Sequence, residues 1–400
     1  MGGFCNREPE SLEEETIGMK KKILVFVLSN LKQDSRVKRQ ILALKDQYAV
    51  TVVCFDADVT TEYEVIQITP TRLTLIRKIF TSVFLILRIY PIAYRILHNY
   101  HFIVKQLSSR HFDLIISNDV ETLPLAFSIT PQPKIVFDAH EYAPRHFEDK
   151  IMWRIFFQRF NTYICKKYIP RLSGMMTVGK GLASEYEKNF GVRPIVVTNA
   201  NHYFDISPSK VSENKIRLVH HGIATPSRKL ELMIDMMKLL DHRFTLDMIL
   251  LTPGFASKGT RNYIDKLKEK SAHDNRIKIL PAVASAEVVK KINDYDMGVF
   301  LLPPINFNYE NTLPNKLFDF IQARLGIAIG PTPEMEDIVN TYRNGVVSND
   351  FTPEGLAIKL NALTKNEIEV YKINSEKAAK EFNAEKNNKI IFNMIEMTVG

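Results

Sequence analysis

The sequence predicts an α/β protein built from two Rossmann-like, doubly wound parallel-sheet domains. Three observations predict it. The chain has 400 residues, and a single hydrophobic core stops growing near about 250–300. Short Val/Ile-rich runs alternate with helical patterns along its whole length, as in a parallel sheet covered on both faces. The alternation stops once, in a polar stretch, and then restarts.

The first set of strands reads KILVFVL (22–28), VTVVCFD (50–56), EVIQIT (64–69), DLIIS (113–117), KIVFD (134–138), MMTV (175–178) and PIVVT (194–198). A helix is expected from about Asp34 to Asp46. The second set reads IRLVHHG (216–222), TLDMILL (245–251), IKIL (277–280), MGVFLL (297–302) and GIAIG (326–330). Between them NANHYFDISPSKVSENK (199–215) is polar and aperiodic and carries Pro208, which marks a linker. The end of the chain reads as amphipathic helices. The expected organisation is a tail over 1–18, a first domain over 19–200, a linker over 201–215, a second domain over 216–370, and helices over 371–400 packing back on the first domain.

The tail is polar and acidic and lacks the apolar stretch of a signal peptide, and Met19 is an alternative start. Cys5, Cys54 and Cys165 are scattered and odd in number, so no disulfide framework or metal spacing is expected and a reducing, cytoplasmic compartment fits. The net charge is +8, but it is local. No acidic residue lies between Glu64 and Asp113, an interval holding Arg72, Arg77, Lys78, Arg88, Arg95, Lys105 and Arg110. Without them the chain is close to neutral, which argues against nucleic acid as a partner.

Doubly wound sheets bind ligands outside the carboxyl ends of their strands, so polar residues there are the candidates. After the first strand come Asp34, a helix cap or acceptor-side residue, and Arg36, with no G-x-G-x-x-G to hold a dinucleotide. Asn118 and Asp119 follow the fourth strand, and DAHEYAP (138–144) follows the fifth. There His140 beside Glu141 can exchange or orient a proton near neutral pH. In the second domain, Gly222 ends a strand and a helix is expected with Arg228 and Lys229 at its mouth, a pairing that suits a diphosphate. The segment YENTLPNKLFDFIQARLGIAIG (309–330) is the most specific. Glu310 precedes a helix starting near Pro314, Asn315 and Lys316 open it, and Asp319 follows one turn later.

Taken in order, DSRVKRQILAL, FDLIISNDVETLPLA, IVFDAHEY, GMMTVGKGLASEYEKNFG, VVTNA, LVHHG, ILPAVASAEVVKKINDYDMGVFLLPP and LPNKLFDFIQARLGIAIG resemble the retaining group 1 glycosyltransferases of GT-B fold, in an L-P-N-K-L-F-[DE] variant. The resemblance runs from about Lys20 to the end of the chain. It implies two domains facing across a cleft and transfer of a hexose from a nucleoside diphosphate sugar, as co-substrate, to a saccharide or lipid-linked acceptor in surface polysaccharide assembly. Lys316 with Arg228 or Lys229 would neutralise the diphosphate, with no tightly bound metal. Asp319 would contact the ribose, Glu310 the sugar hydroxyls, and His140 the transferred sugar. Asn118, Asp119 and Glu141 would line the acceptor side. The sequence departs from the family at Asn311, where a Glu eight residues before Asp319 is usual. It also has Ile223 where an Arg often stands, and Ser29-Asn30 where a Gly pair is common. A sugar-nucleotide epimerase on the same fold and a non-catalytic membrane-surface protein are the rival readings.

The basic stretch 71–107 is too interrupted to span a bilayer. Read as one helix, it sets Arg77, Arg88 and Arg95 near one line, with Pro91 able to split it. A cationic stripe beside Phe, Ile and Tyr suits an anionic membrane surface, reached peripherally from the cytoplasm. The aromatic, basic stretch 144–172 is expected to join the same face.

Overall fold

The computed structural model describes residues 20–58, 60–129, 134–251 and 258–400; the 1–18 tail lies outside them. Among the described residues, thirteen strands form two all-parallel sheets. In the first, β1 (Lys22–Phe26), β2 (Ala49–Cys54), β3 (Glu64–Gln67), β4 (Leu114–Asn118), β5 (Ile135–Ala139), β6 (Gly174–Thr177) and β7 (Ile195–Val196) run in the order β3-β2-β1-β4-β5-β6-β7. In the second, β8 (Ile216–Ile223), β9 (Phe244–Leu251), β10 (Ile277–Pro281), β11 (Met297–Phe300), β12 (Gly326–Ile329) and β13 (Gly345–Val347) run β10-β9-β8-β11-β12-β13. In each sheet the chain starts near the middle, builds to one edge, and returns to build to the other. That reversal opens a crevice at the carboxyl ends of the central strands.

Burial explains the strand runs. Ile23, Leu24, Val25 and Phe26 are wholly buried, as are Met297, Val299, Ile327 and Ile329, because helices cover both faces of each sheet. The 199–215 stretch has no helix or strand but is tied to the second lobe. Gln322 accepts from the Phe204 amide, and the buried Arg324 donates to the Phe204 carbonyl. The helix Lys365–Glu381 belongs to the second lobe, where buried Lys372 donates to the Tyr295 carbonyl at 2.6 Å. The last helix, Ala384–Val399, crosses back. Its Ile391, Met394 and Ile395 join the first lobe's core, and Tyr48 donates to Glu396 at 2.8 Å.

Two local expectations are corrected. The 71–107 stretch is not one helix. It is three, Leu75–Ile86, Tyr90–Leu97 and His101–Ser108. The first break falls at Arg88, which takes a left-handed φ of 60°, so Arg77, Arg88 and Arg95 share no common line. The segment after β8 opens as a single 3-10 turn over Pro226–Arg228, with the helix Glu231–Met237 only after it. Arg228 and Lys229 therefore precede the helix.

Candidate active site

The carboxyl ends of the two sheets enclose a cleft of about 680 Å³, with Asp34, Arg36, His140 and Glu141 on one wall and Gly222, Arg228, Lys316 and Asp319 on the other. On the second-lobe wall, Pro314 caps the helix Asn315–Gln322, and Pro314, Asn315 and Lys316 all face the cleft. The first amides of a helix lack intrahelical partners and favour anions.

Lys316 is 4% exposed and forms no ion pair among the described residues. Its Nζ lies 3.2 Å from His220 Nε2 and 3.8 Å from the centroid of the Phe300 ring. His220 Nδ1 lies 2.9 Å from the Val299 carbonyl. Nδ1 therefore carries the proton, and Nε2 accepts from the lysine. Burial, and then the charge of Arg228, push the Lys316 amine well below its ordinary value. Gly222, at a φ of +126°, is where the chain passes these cations. A Cβ there would stand at ordinary contact distance, 3.4 Å from Lys316 Nζ and 3.7 Å from Arg228, so it is the backbone conformation that calls for glycine.

Asp319 is also buried, and burial raises its carboxyl to about 6. Asn201 donates to it at 3.3 Å, and His221 Nε2 lies 3.6 Å away with no hydrogen bond of its own. Burial lowers His221 to about 3, so the ring is neutral. The wall thus presents two cations, two neutral imidazoles and one carboxyl, an unbalanced positive charge suited to an anion.

The first-lobe wall is built differently. Asp34 caps the helix Ser35–Leu44 by accepting from the Val37 amide at 3.1 Å, and it also accepts from Ser29. Arg36 is no surface charge. Its guanidinium grips Asp138 at 2.7 and 3.1 Å and reaches the Val197 carbonyl at 2.8 Å. His140 stands in front of a carboxylate pair, 3.5 Å from Asp119 and 3.8 Å from Asp138, with Asn118 at 3.3 Å. Burial alone would lower the His140 value, but Asp119 and then Asp138 outweigh it and raise it to about 9. The imidazole is therefore a cation at neutral pH. Asn118 and Asp119 do not line the cleft; they back His140.

The residues singled out from the sequence thus separate. Asp34, His140, Glu141, Gly222, Arg228, Asn315, Lys316 and Asp319 meet in the cleft. Lys229 does not: it is exposed, at a left-handed φ of 51°. Glu310 does not either. It is exposed and absent from the cleft wall, whereas its neighbour Asn311 lines it. The cause is cross-lobe docking of the short helix Phe307–Glu310. Asn308 accepts from the Tyr142 amide at 2.7 Å and donates to the Tyr142 carbonyl at 3.3 Å, and Glu148 accepts from the Phe307 amide at 2.8 Å. These bonds fix the rotation that turns Asn311 inward. His220, His221 and Asn201 were not anticipated. The one signal was a pair of histidines ending an otherwise apolar strand, HHG. Among the described residues no cluster of three or more His, Cys, Asp or Glu is arranged to hold a metal ion.

The two facing lobes and the shared cleft define a GT-B fold. Solved structures agree over nearly the whole chain. Anabaena HepE in complex with UDP and glucose aligns over 95% of this chain and 100% of its own, with TM-score 0.67 and 15% identity. Sucrose-phosphate synthase from Thermosynechococcus elongatus aligns over 94% and 98%, with TM-score 0.71 and 9% identity. TarM aligns over 95% and 99%, with TM-score 0.67 and 10% identity. At these identities the likeness is one of fold. No family model matches the sequence, and no curated protein matches it significantly.

Proposed function

We propose that this protein is a glycosyltransferase that moves a hexose from a nucleoside diphosphate sugar to a saccharide acceptor, with retention at the transferred carbon. The observation that carries the reading is the buried Lys316, without a carboxylate partner, beside Arg228 at the glycine-gated mouth of β8. A departing diphosphate supplies the negative charge this wall lacks, and fixed cations stabilise that charge as it builds. In this reading protein cations stand where other transferases use a metal. Asp319, to which Asn201 donates at 3.3 Å, holds ribose hydroxyls. His140, charged and in the cleft, faces the sugar, and Asp34 and Glu141 face the acceptor. UDP is the first base to test, because HepE binds it. A thermal-shift screen of UDP-, GDP-, ADP- and dTDP-sugars, followed by calorimetry, tests the reading; no nucleotide raising the melting temperature would overturn it. Rapid interconversion of a bound sugar without acceptor would point to an epimerase instead.

Glu310→Gln is expected to leave transfer within about twofold of the parent, since exposed substitutions away from a site are nearly neutral. Asn311→Ala is expected to cost about tenfold, the order of one hydrogen bond to substrate. Initial-rate measurements on both variants decide the matter.

The acceptor is proposed to be lipid-linked, because the first lobe has a large apolar face. Leu75, Ile76, Ile79, Phe80, Ile86 and Leu87 are 54–75% exposed on and just after the first basic helix. Ile151, Met152 and Ile155, all more than half exposed, lie on the segment that packs beside it. Arg77, Lys78, Arg88, Lys150 and Arg154 are exposed among them. No helix among the described residues is long and apolar enough to cross a membrane. A patch of this size marks an interface, and its charge fits an anionic leaflet at about 1 kcal/mol per basic residue. The protein is expected to co-sediment with phosphatidylglycerol vesicles and much less with phosphatidylcholine. An Ile76→Ser/Ile79→Ser/Phe80→Ser variant should lose at least about tenfold in partitioning. Equal binding by that variant would refute the docking face.

A further inference from the structure

The first lobe contains a second cavity, of about 300 Å³, that shares no lining residue with the interlobe cleft. It lies among the helices Tyr90–Leu97, Leu123–Ile129 and Arg159–Tyr168. Its wall is aromatic: Tyr90 packs 5.0 Å from Tyr163 and 5.8 Å from Phe160, and Tyr94 packs 6.4 Å from Phe160, centroid to centroid. His98, half-buried, also lines the cavity. Its ring lies 4.8 Å from that of Tyr94 and makes no side-chain hydrogen bond among the described residues. Burial lowers it to about 4, so it is a neutral donor and acceptor. At the rim Arg95 and Lys167 are exposed and in no ion pair among the described residues, and no lining residue is acidic.

These features point the same way. A void among large rings forfeits packing contacts. Two rim cations without a carboxylate partner favour an anion; among the described residues Lys167 meets only the Tyr163 hydroxyl at 3.3 Å and the rings of Tyr163 and Tyr168. Pro91 lines the cavity, and its exposed neighbours Ile89 and Ile92 continue the apolar face of the helix Leu75–Ile86. The cavity therefore opens where that face begins.

We infer that this cavity is a binding site for a single apolar chain bearing a phosphate head group, the chain lying against the tyrosine and phenylalanine rings and the phosphate held by Arg95 and Lys167. A phosphate on an apolar chain is common to an isoprenoid-linked saccharide and, with its second chain left outside the cavity, to a membrane phospholipid. The site is separate from the donor cleft and does not depend on the identity of the donor.

Calorimetry with decyl phosphate on the full chain tests it. One saturable site is expected. Decanol and decyltrimethylammonium should bind at least about tenfold more weakly, the order of one charge-assisted contact. Saturating UDP should leave the decyl phosphate isotherm unchanged. Ser128→Trp, at an exposed position on the cavity wall, should abolish binding while the melting curve stays that of the parent. Arg95→Gln/Lys167→Gln should bind decyl phosphate no better than decanol. Farnesyl phosphate and dihexanoyl phosphatidylglycerol then separate the sources, the tighter of the two identifying the natural class. No saturable heat, undiminished binding by Ser128→Trp, or displacement by UDP would each overturn the site.

Discussion

Lys316→Met is expected to lower glycosyl transfer about 10²–10³-fold, the usual cost of removing one preorganised charge-stabilising group, and at the same time to raise the melting temperature. The two effects share one cause. The amine is buried against a neutral imidazole and a phenyl ring, with Arg228 near and no carboxylate in ion-pair contact. An uncompensated buried cation destabilises the fold, and replacing it with an apolar side chain of similar length removes that penalty. Such opposition between stability and activity is expected where a site is organised for its ligand. The sign of the pH dependence follows. The folded-state value of Lys316 is depressed below the ordinary 10.5, so between the two values the unfolded chain binds more protons. The parent's stability therefore rises with pH through that window. A bound diphosphate raises that depressed value again, so nucleotide affinity falls as pH rises through the amine's free-state titration. Calorimetry over a pH series from about 8 upward, in buffers of differing ionisation enthalpy, measures the proton uptake that accompanies that rise, Asp319, at about 6, being already ionised there. The uptake should vanish in Lys316→Met. Normal turnover by that variant, or the same proton uptake, would remove Lys316 from its assigned role.

Much of this site was legible in the sequence because parallel strands buried on both faces leave a plain signature, and the residues after them lie at the sheet's open end. KILVFVL and GIAIG could hardly be anything else. Lys316 and Asp319 were found because L-P-N-K fixes a helix start, and the start fixes which side chains reach the cleft. β13 escaped notice because its three residues, Gly345–Val347, are partly exposed at a sheet edge, where the apolar run is too short to stand out. The break at Arg88 escaped because a left-handed residue two positions from a helix start has no apolar signal. Glu310 and Asn311 are neighbours, and which of them turns inward is set by Tyr142 and Glu148, about 160 positions away in sequence. Arg36 is the same kind of case. Its charge reads as surface until its partner, 102 residues distant, is known.

That partner makes Arg36→Met the largest expected loss of stability. Arg36 and Asp138 side chains are 10% and 2% exposed, and the guanidinium meets the carboxylate with two parallel bonds, a geometry lysine cannot copy. The same guanidinium holds the Val197 carbonyl and Asn199, where the chain leaves the first lobe. Removing it leaves Asp138 buried with Gln40 at 3.1 Å and His140 at 3.8 Å as its remaining partners. Breaking one side of such a pair costs about 3–5 kcal/mol, or a fall in melting temperature of roughly 10 °C for a lobe of this size. Arg36→Met/Asp138→Asn should recover much of the loss, since no bare carboxylate is then buried. Burial alone would raise the Asp138 value, but Arg36 and then His140 outweigh it and hold the carboxyl well below the usual range. With a depressed folded-state value, the stabilisation is fully present above the unfolded value near about 4 and is lost only as pH falls below it. The difference between parent and Arg36→Met should therefore hold steady from about pH 5 to 8 and shrink in acid. Salt should barely alter it, because a buried pair is poorly screened. Denaturant unfolding at several pH values measures all of this. A loss below about 1 kcal/mol, or one that disappears in about 0.5 M salt, is the behaviour of a surface pair and would mean that His140 is held in the cleft by something other than this clamp.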